Sequence, residues 1–382
     1  MLTPGKPPSL LTTADVLEAA FPATESGSRV WNAEGRDVTV IPQGAEPRWI
    51  ILGNADKALP VLRSWNPWNR SSRLRWSAVR FAASINMLRR LPGVLKSNVV
   101  IDDSYWRGSL LGFPREWNAV MHVGNASHSR KAIVFFIDRD EQITGAAKIP
   151  LVTGALEAIR NEAAMLEHLK HFEHLPRVLY QDRAYGIAVQ SWLDGRPVGR
   201  EFTRCHVDLL SRLAIPNKTA RVSENRDEIA SQMDAADLPF DRSVLARGFE
   251  LLDFDAALPC FVEHRDFAPW NLKWMSDGTL GLLDWEWAVP VGLPWQDVCR
   301  FFYLDDVHFD GKGKVWETMT SNALLSDYRR HFDIPPEALL PLTMRYLLRV
   351  LLMEWEGGNA RLANYAFAQI QTLLGATLTA QI

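Results

Sequence analysis

The feature that most constrains this chain is the stretch VEHRDFAPWNLKWMSDGTLGLLDWEW, residues 262–287. Its centre, Asp277-Gly278, is flanked by apolar runs. Both residues tolerate positive φ, so the pair predicts a hairpin turn. Read as a two-residue loop, it sets Ser276 opposite Thr279 and Asn271 opposite Asp284. An amide oxygen and a carboxylate then sit on neighbouring strands at the open end of the hairpin. Asp266 lies five residues before Asn271, on a loop that Pro269 keeps irregular.

These residue types suit one kind of chemistry. A hard cation carrying phosphates needs oxygen ligands, which Asn271 and Asp284 supply. A nearby carboxylate kept off the metal can orient a hydroxyl and accept its proton, which fits Asp266. Taken singly, Asp and Asn beside turns usually satisfy backbone groups. The shared spacing and the converging register favour a joint role.

Upstream, short β-branched segments predict strands at 117–123, 131–137 and 142–149, separated by GNASHSR and DRDE. A helix is expected over 154–170, then strands near 177–180 and 185–192. Beyond Gly195 the chain reads as helical apart from the hairpin. Strands followed by helices predict a segregated α+β fold with a small antiparallel-sheet lobe and a mostly helical lobe. The expected divisions are 1–115, an extension of unknown role with mixed α/β character, then 116–194 and 195–382.

Lys148 ends the strand ITGAAKI, and the next helix offers Glu157, Glu162 and Glu167. On a helical wheel Ile159, Ala163, Leu166 and Leu169 form the apolar stripe. Glu162 falls inside it, Glu157 nearly opposite, and Glu167 at its edge. A carboxylate in an apolar stripe needs a partner, and Lys148 is the obvious one.

With a net charge of -3 the chain carries no global signature for nucleic acid. Three dispersed cysteines without CxxC spacing indicate neither a disulfide framework nor a zinc site, so a reducing cytoplasm is expected. The first residues lack the basic start and apolar core of a signal peptide, and the apolar run 338–355 is broken by Arg345 and Arg349.

One bias is local. Between Asp56 and Asp102 there are nine basic residues and no acidic one. Residues 57–96 could meet an anionic surface or membrane. A wheel over Ser77–Arg90, however, spreads Arg80, Arg89 and Arg90 around the helix. It puts Ala78, Phe81, Ala82, Ile85 and Leu88 on one apolar face, which favours a packed structural helix.

The order His264-x-Asp266-x4-Asn271, then an apolar strand and Asp284-Trp285-Glu286, resembles the aminoglycoside phosphotransferase and choline kinase family, of protein-kinase-like fold. Asp297, in PWQD thirteen residues past Asp284, is also similar to that family. The resemblance covers roughly residues 117–382. It implies that Asp266 is the catalytic base, that Asn271 and Asp284 bind Mg2+, and that His264 supports the loop. It further implies that Lys148 touches the α- and β-phosphates of ATP (GTP being the alternative nucleotide) and that Glu162 orients Lys148. GNASHSR would cover the phosphates through its backbone, Ser127 and Ser129. It has only Gly124 where protein kinases carry GxGxxG. The backbone near Gln190–Trp192 would read the adenine edge, and Glu286 would contact the acceptor. The acceptor would be a hydroxyl of an aminoglycoside-, amino alcohol- or sugar-like molecule. Two rivals remain at this level: a protein kinase, against which stand Asp-Trp-Glu in place of Asp-Phe-Gly and the absence of Ala-Pro-Glu, and a catalytically silent nucleotide-binding regulator.

Overall fold

The computed structural model describes residues 11–21, 36–42, 46–65, 67, 70–99 and 118–379. The chain divides into two compact units, one ending at Pro197 and the other beginning at Val198. Trp117, where the first predicted strand begins, lies outside the described residues.

The first unit is built on one eight-stranded sheet. Its strands are β1 (Arg36–Ile41), β2 (Trp49–Leu52), β3 (Leu95–Val99), β4 (Asn118–Val123), β5 (Lys131–Ile137), β6 (Ile143–Pro150), β7 (Val178–Asp182) and β8 (Ile187–Ser191). Their order is β3-β1-β2-β4-β5-β6-β8-β7, and the pairings are antiparallel. The N-terminal strands therefore extend the sheet that carries Lys148, because β2 pairs with β4 from Trp49 opposite His122 to Leu52 opposite Ala119.

Period-2 alternation gives the sheet two apolar faces. On one, Val38, Val40, Ile50, Leu52, Met121, Val134 and Phe136 pack with Val16, Leu17 and Ala20 of α1 (Thr13–Ala20). The other face holds Trp49, Ile51, Val120, Phe135 and Ile137. These meet Val61 and Leu62 of α2 (Leu59–Ser64) and Trp76 and Ala83 of α3 (Arg70–Ser84). A further helix, α4 (Thr153–His168), packs Ile159 and Ala163 on Ala188.

α3 departs from expectation in start and facing. It begins at Arg70 rather than Ser77, ends at Ser84, and is followed by a left-handed Asn86. Trp76 anchors it, donating from Nε1 to the carbonyls of Leu62 (3.0 Å) and Trp65 (2.9 Å). That anchor turns only part of the predicted apolar face outward: Phe81 is 66% and Ile85 47% exposed, while Ala82 and Leu88 are buried.

The second unit is mostly helical. Its principal helices are α5 (Arg204–Arg212), α6 (Arg226–Ala235), α7 (Arg242–Glu250), α8 (Gln296–Asp305), α9 (Val315–Thr320), α10 (Ala323–His331), α11 (Leu339–Glu356) and α12 (Ala360–Thr379). α11, the segment interrupted by two arginines, is largely buried from Pro341 to Leu352. Among the described residues no helix is long and apolar enough to cross a membrane. Embedded among the helices is a small sheet of β9 (Ala214–Ala220), β10 (Leu258–Glu263) and β13 (Val289–Gly292), and the hairpin of β11 (Leu272–Trp274) and β12 (Leu280–Leu282).

Candidate active site

The hairpin differs from its predicted register by one residue. Leu272 pairs with Leu282, and Trp274 with Leu280. The loop holds three residues, Ser276-Asp277-Gly278. The Asp277 carboxylate takes bonds from the Thr279 N–H (2.9 Å) and hydroxyl (2.7 Å), and Gly278 sits at φ +83°. An aspartate able to bond its own backbone two residues on, followed by a left-handed glycine, closes a three-residue loop as readily as a two-residue one. Consequently Asn271 faces Leu283, whose N–H donates to the Asn271 carbonyl at 2.8 Å. Asp284 lies one residue beyond the pair. It is itself left-handed at φ +65°, which ends the strand there and re-aims the carboxylate.

The loop from His264 to Asn271 is held from several directions. The buried Asp297, in the first turn of α8, accepts from the N–H groups of His264 and Arg265, both at 2.8 Å. Burial pushes the Asp297 carboxyl up to about 7, and the charge of Glu263 adds to this, against the two backbone bonds. His264 is fully buried. Its Nδ1 accepts from the Asp266 N–H at 3.2 Å, so its Nε2 carries the proton and donates to the Leu283 carbonyl at 2.9 Å. One neutral imidazole thus ties the residue before Asp284 to the backbone of Asp266. Its ring meets Trp285 edge-on at 4.7 Å, and Trp285 is wholly buried.

Asp266 is oriented through both carboxylate oxygens. Asn271 Nδ2 donates to Asp266 Oδ2 and to its carbonyl, each at 2.9 Å. Arg300 donates to Oδ1 from Nη2 at 2.8 Å and Nε at 3.2 Å. The Asp266 side chain keeps 18% of its surface exposed, enough for a reactant to reach it. Burial, the largest single influence, opposes the charge on Arg300, but Asp266, Tyr346 and Glu354 together outweigh it and hold the guanidinium above its ordinary pKa. Arg300 also lies 3.7 Å from Glu354, whose carboxyl is raised by burial against the arginine's pull.

Arg300 is not among the residues that the sequence motif singles out. A signal was present: Arg300 follows Asp297 by one helical turn, so both face the loop from the same side of α8. Three non-glycine residues at positive φ cluster here in sequence terms: Arg265 at +66° just before Asp266, Asp284, and Trp295 at +73° just before α8. Such backbone costs roughly 1–2 kcal/mol per residue.

Because the Asn271 amide nitrogen is engaged with Asp266, its planar amide points the oxygen elsewhere, as a ligand to a hard cation would require. Among the described residues no group of three or more His, Cys, Asp or Glu side chains could hold a metal. Glu286, two residues past Asp284, is half-buried.

In the other unit, Lys148 on β6 meets Glu162 on α4, with Nζ 2.7 Å from Oε1 and 2.6 Å from Oε2. Their side chains are 8% and 0% exposed. Glu157 and Glu167 face solvent, and Glu167 pairs with Lys170 at 2.7 Å. The loop 124–130 is drawn closed: buried Arg130 donates to the Gly124 carbonyl at 3.2 Å, and the Arg130 N–H to the Ser127 carbonyl at 3.3 Å. At its far side a Cβ on Gly154 would sit 2.2 Å from the His128 carbonyl, so only glycine lets the loop lie against the start of α4. Ser127 and Ser129 are half-buried. Gln190 is buried in β8 opposite Ala146, and Trp192 packs edge-on against Phe135 at 5.7 Å.

No curated protein sequence matches the chain. Among solved structures it is similar to a choline kinase from Streptococcus pneumoniae (14% identity, 72% of this chain and 97% of that one, TM-score 0.47). It is similar also to an ethanolamine kinase from Plasmodium vivax (12%, 69% and 83%, TM-score 0.49). A third is a macrolide 2'-phosphotransferase from Brachybacterium faecium (13%, 65% and 91%, TM-score 0.47). The model of the phosphotransferase enzyme family, APH, matches residues 134–333, a span that contains Lys148, Glu162, Asp266, Asn271, Asp284 and Asp297. With more than half of its length matched, the chain belongs to the APH phosphotransferase family.

Proposed function

We propose that this phosphotransferase moves the γ-phosphate of ATP, with Mg2+, to a hydroxyl of a small molecule that is aminoglycoside-, amino alcohol- or sugar-like. The observation that carries this reading is Asp266. It is a carboxylate fixed through both oxygens by Asn271 and Arg300, still reachable, and backed by an asparagine whose oxygen suits a metal.

In this reading Asp266 accepts a hydrogen bond from the acceptor hydroxyl, aligns that oxygen with the γ-phosphorus, and takes the proton as the new P–O bond forms and the bond to ADP breaks. Asn271 and Asp284 hold the magnesium ion, which when bound offsets phosphate charge. Lys148, kept in place by Glu162, contacts the α- and β-phosphates. The backbone at Gln190–Trp192 meets the adenine, and the loop with Gly124, Ser127 and Ser129 covers the phosphates. Glu286 contributes to the acceptor side. Residues 116–194 form the nucleotide lobe and 195–382 the catalytic and acceptor lobe, and 1–115 is an extension whose role this reading does not assign. Free Cys260 and Cys299, both buried, are in keeping with a reducing cytoplasm.

The test is magnesium-dependent ADP release by the purified protein across a panel of aminoglycosides, amino alcohols and sugars. At least one hydroxyl acceptor should raise release above the basal rate, and EDTA should abolish it. A protein that binds ATP yet phosphorylates only polypeptides would overturn the small-molecule assignment.

A further inference from the structure

α3 has two opposed apolar faces, and only one is used by the fold. Trp76, Val79 and Ala83 recur at helical spacing and pack toward the sheet. Leu74, Ala78, Phe81 and Ile85 recur at the same spacing about half a turn away, and that stripe is open to solvent. Leu74 is 76%, Phe81 66% and Ile85 47% exposed, with Met87 at 41% just beyond. At about 100° per residue, Arg75 lies on one flank of this stripe and Arg73 and Arg80 on the other. No acidic residue occurs between Asp56 and Asp102 to neutralise them. Arg89 is the exception, being paired with Asp37 at 2.6 Å.

A solvated helix presents polar residues outward, and isolated exposed apolar side chains need no explanation. A continuous stripe of large ones, edged on both sides by arginines, is the pattern of a helix lying in a bilayer interface. There the apolar stripe enters the acyl boundary and the flanking cations reach anionic headgroups. We propose that α3 docks this protein onto an anionic lipid surface, with Leu74, Phe81 and Ile85 inserted and Arg73, Arg75 and Arg80 on the headgroups. A wheel over Ser77–Arg90 scatters Arg80, Arg89 and Arg90; the helix starts earlier, at Arg70, and so adds Leu74, Arg73 and Arg75 to the stripe and its edges.

Flotation of the full-length protein with phosphatidylcholine vesicles, with and without phosphatidylglycerol, tests this. Binding should require the anionic lipid and weaken as salt is raised. Leu74→Ser with Phe81→Ser should lower partitioning at least about tenfold, since two large apolar side chains lose their burial. Its melting temperature should be unchanged, because both side chains are exposed. Arg73→Gln with Arg75→Gln should weaken binding and flatten its salt dependence. Absence of wild-type binding, or equal binding by the Leu74/Phe81 double variant, overturns the proposal. So does a wild-type dimer that this variant converts to monomer without any effect on vesicles, since the stripe would then meet a second copy of the chain.

Discussion

At the scale of single residues, the site rests on side chains that have no alternative role open to them. Glu162 was legible in the sequence because an ionised carboxylate on an apolar arc must be paired, and only Lys148 stood within reach on the preceding strand. Replacing Lys148 by Met leaves Glu162 buried without its cation. It should lower stability by about 3–5 kcal/mol in denaturant titration, as well as weakening nucleotide binding. Arg300 was not legible, because its partner Asp266 is 34 residues away and only folding brings them together. As a positioning residue it predicts a split effect. Arg300→Met should lower kcat by roughly tenfold to a hundredfold through a misaligned carboxylate, with little change in KM for ATP. A purely structural arginine would lower stability without separating kcat from KM.

At the scale of elements, the hairpin shows both the reach and the limit of reading register from a turn. Asp277-Gly278 announced the hairpin and its two strands, yet the loop has three residues, because the Asp277 side chain bonds Thr279 and Gly278 takes the left-handed position. The resulting one-residue shift puts Asn271 across from Leu283, and the left-handed turn at Asp284 replaces the direct pairing that was expected. Gly278 offers a clean check, since a Cβ there would meet nothing within 4 Å. Gly278→Ala should therefore cost only backbone strain, about 1–2 kcal/mol, measured by urea unfolding, with catalysis preserved. α3 failed in a different way: its periodicity was readable, but two apolar faces on one helix cannot be ranked without knowing that Trp49 and the carbonyls of Leu62 and Trp65 wait for Trp76.

At the scale of the whole molecule, the α+β division was legible in the succession of strands and helices. The joining of β1–β3 to the central sheet was not, because strand pairing across the intervening chain leaves no local pattern. Each unit also buries a histidine. His122 in the sheet unit packs against Trp49 and Trp65, and burial, helped by Arg48, lowers its pKa to about 3. His206 in the helical unit is lowered by burial to about 4. Both are depressed below an unfolded value near 6.5, so the unfolded chain binds more protons between those limits. Their contribution is complete above about pH 6.5 and is lost as pH falls. Asp297, raised to about 7, acts in the opposite direction: stability falls as pH rises from about 4 toward 7. Comparison with His206→Gln isolates one of these. The stability difference between wild type and variant should shrink by up to roughly 3 kcal/mol between pH 7 and pH 4. Equilibrium unfolding at several pH values measures it. The account as a whole stands on Asp266, and the most direct measurement is acceptor-dependent ADP release from Mg·ATP by wild type and Asp266→Asn, with ATP affinity determined in parallel. The predicted result is a loss of at least about a hundredfold in kcat with nucleotide affinity retained. An Asp266→Asn protein that turns over at the wild-type rate would contradict it.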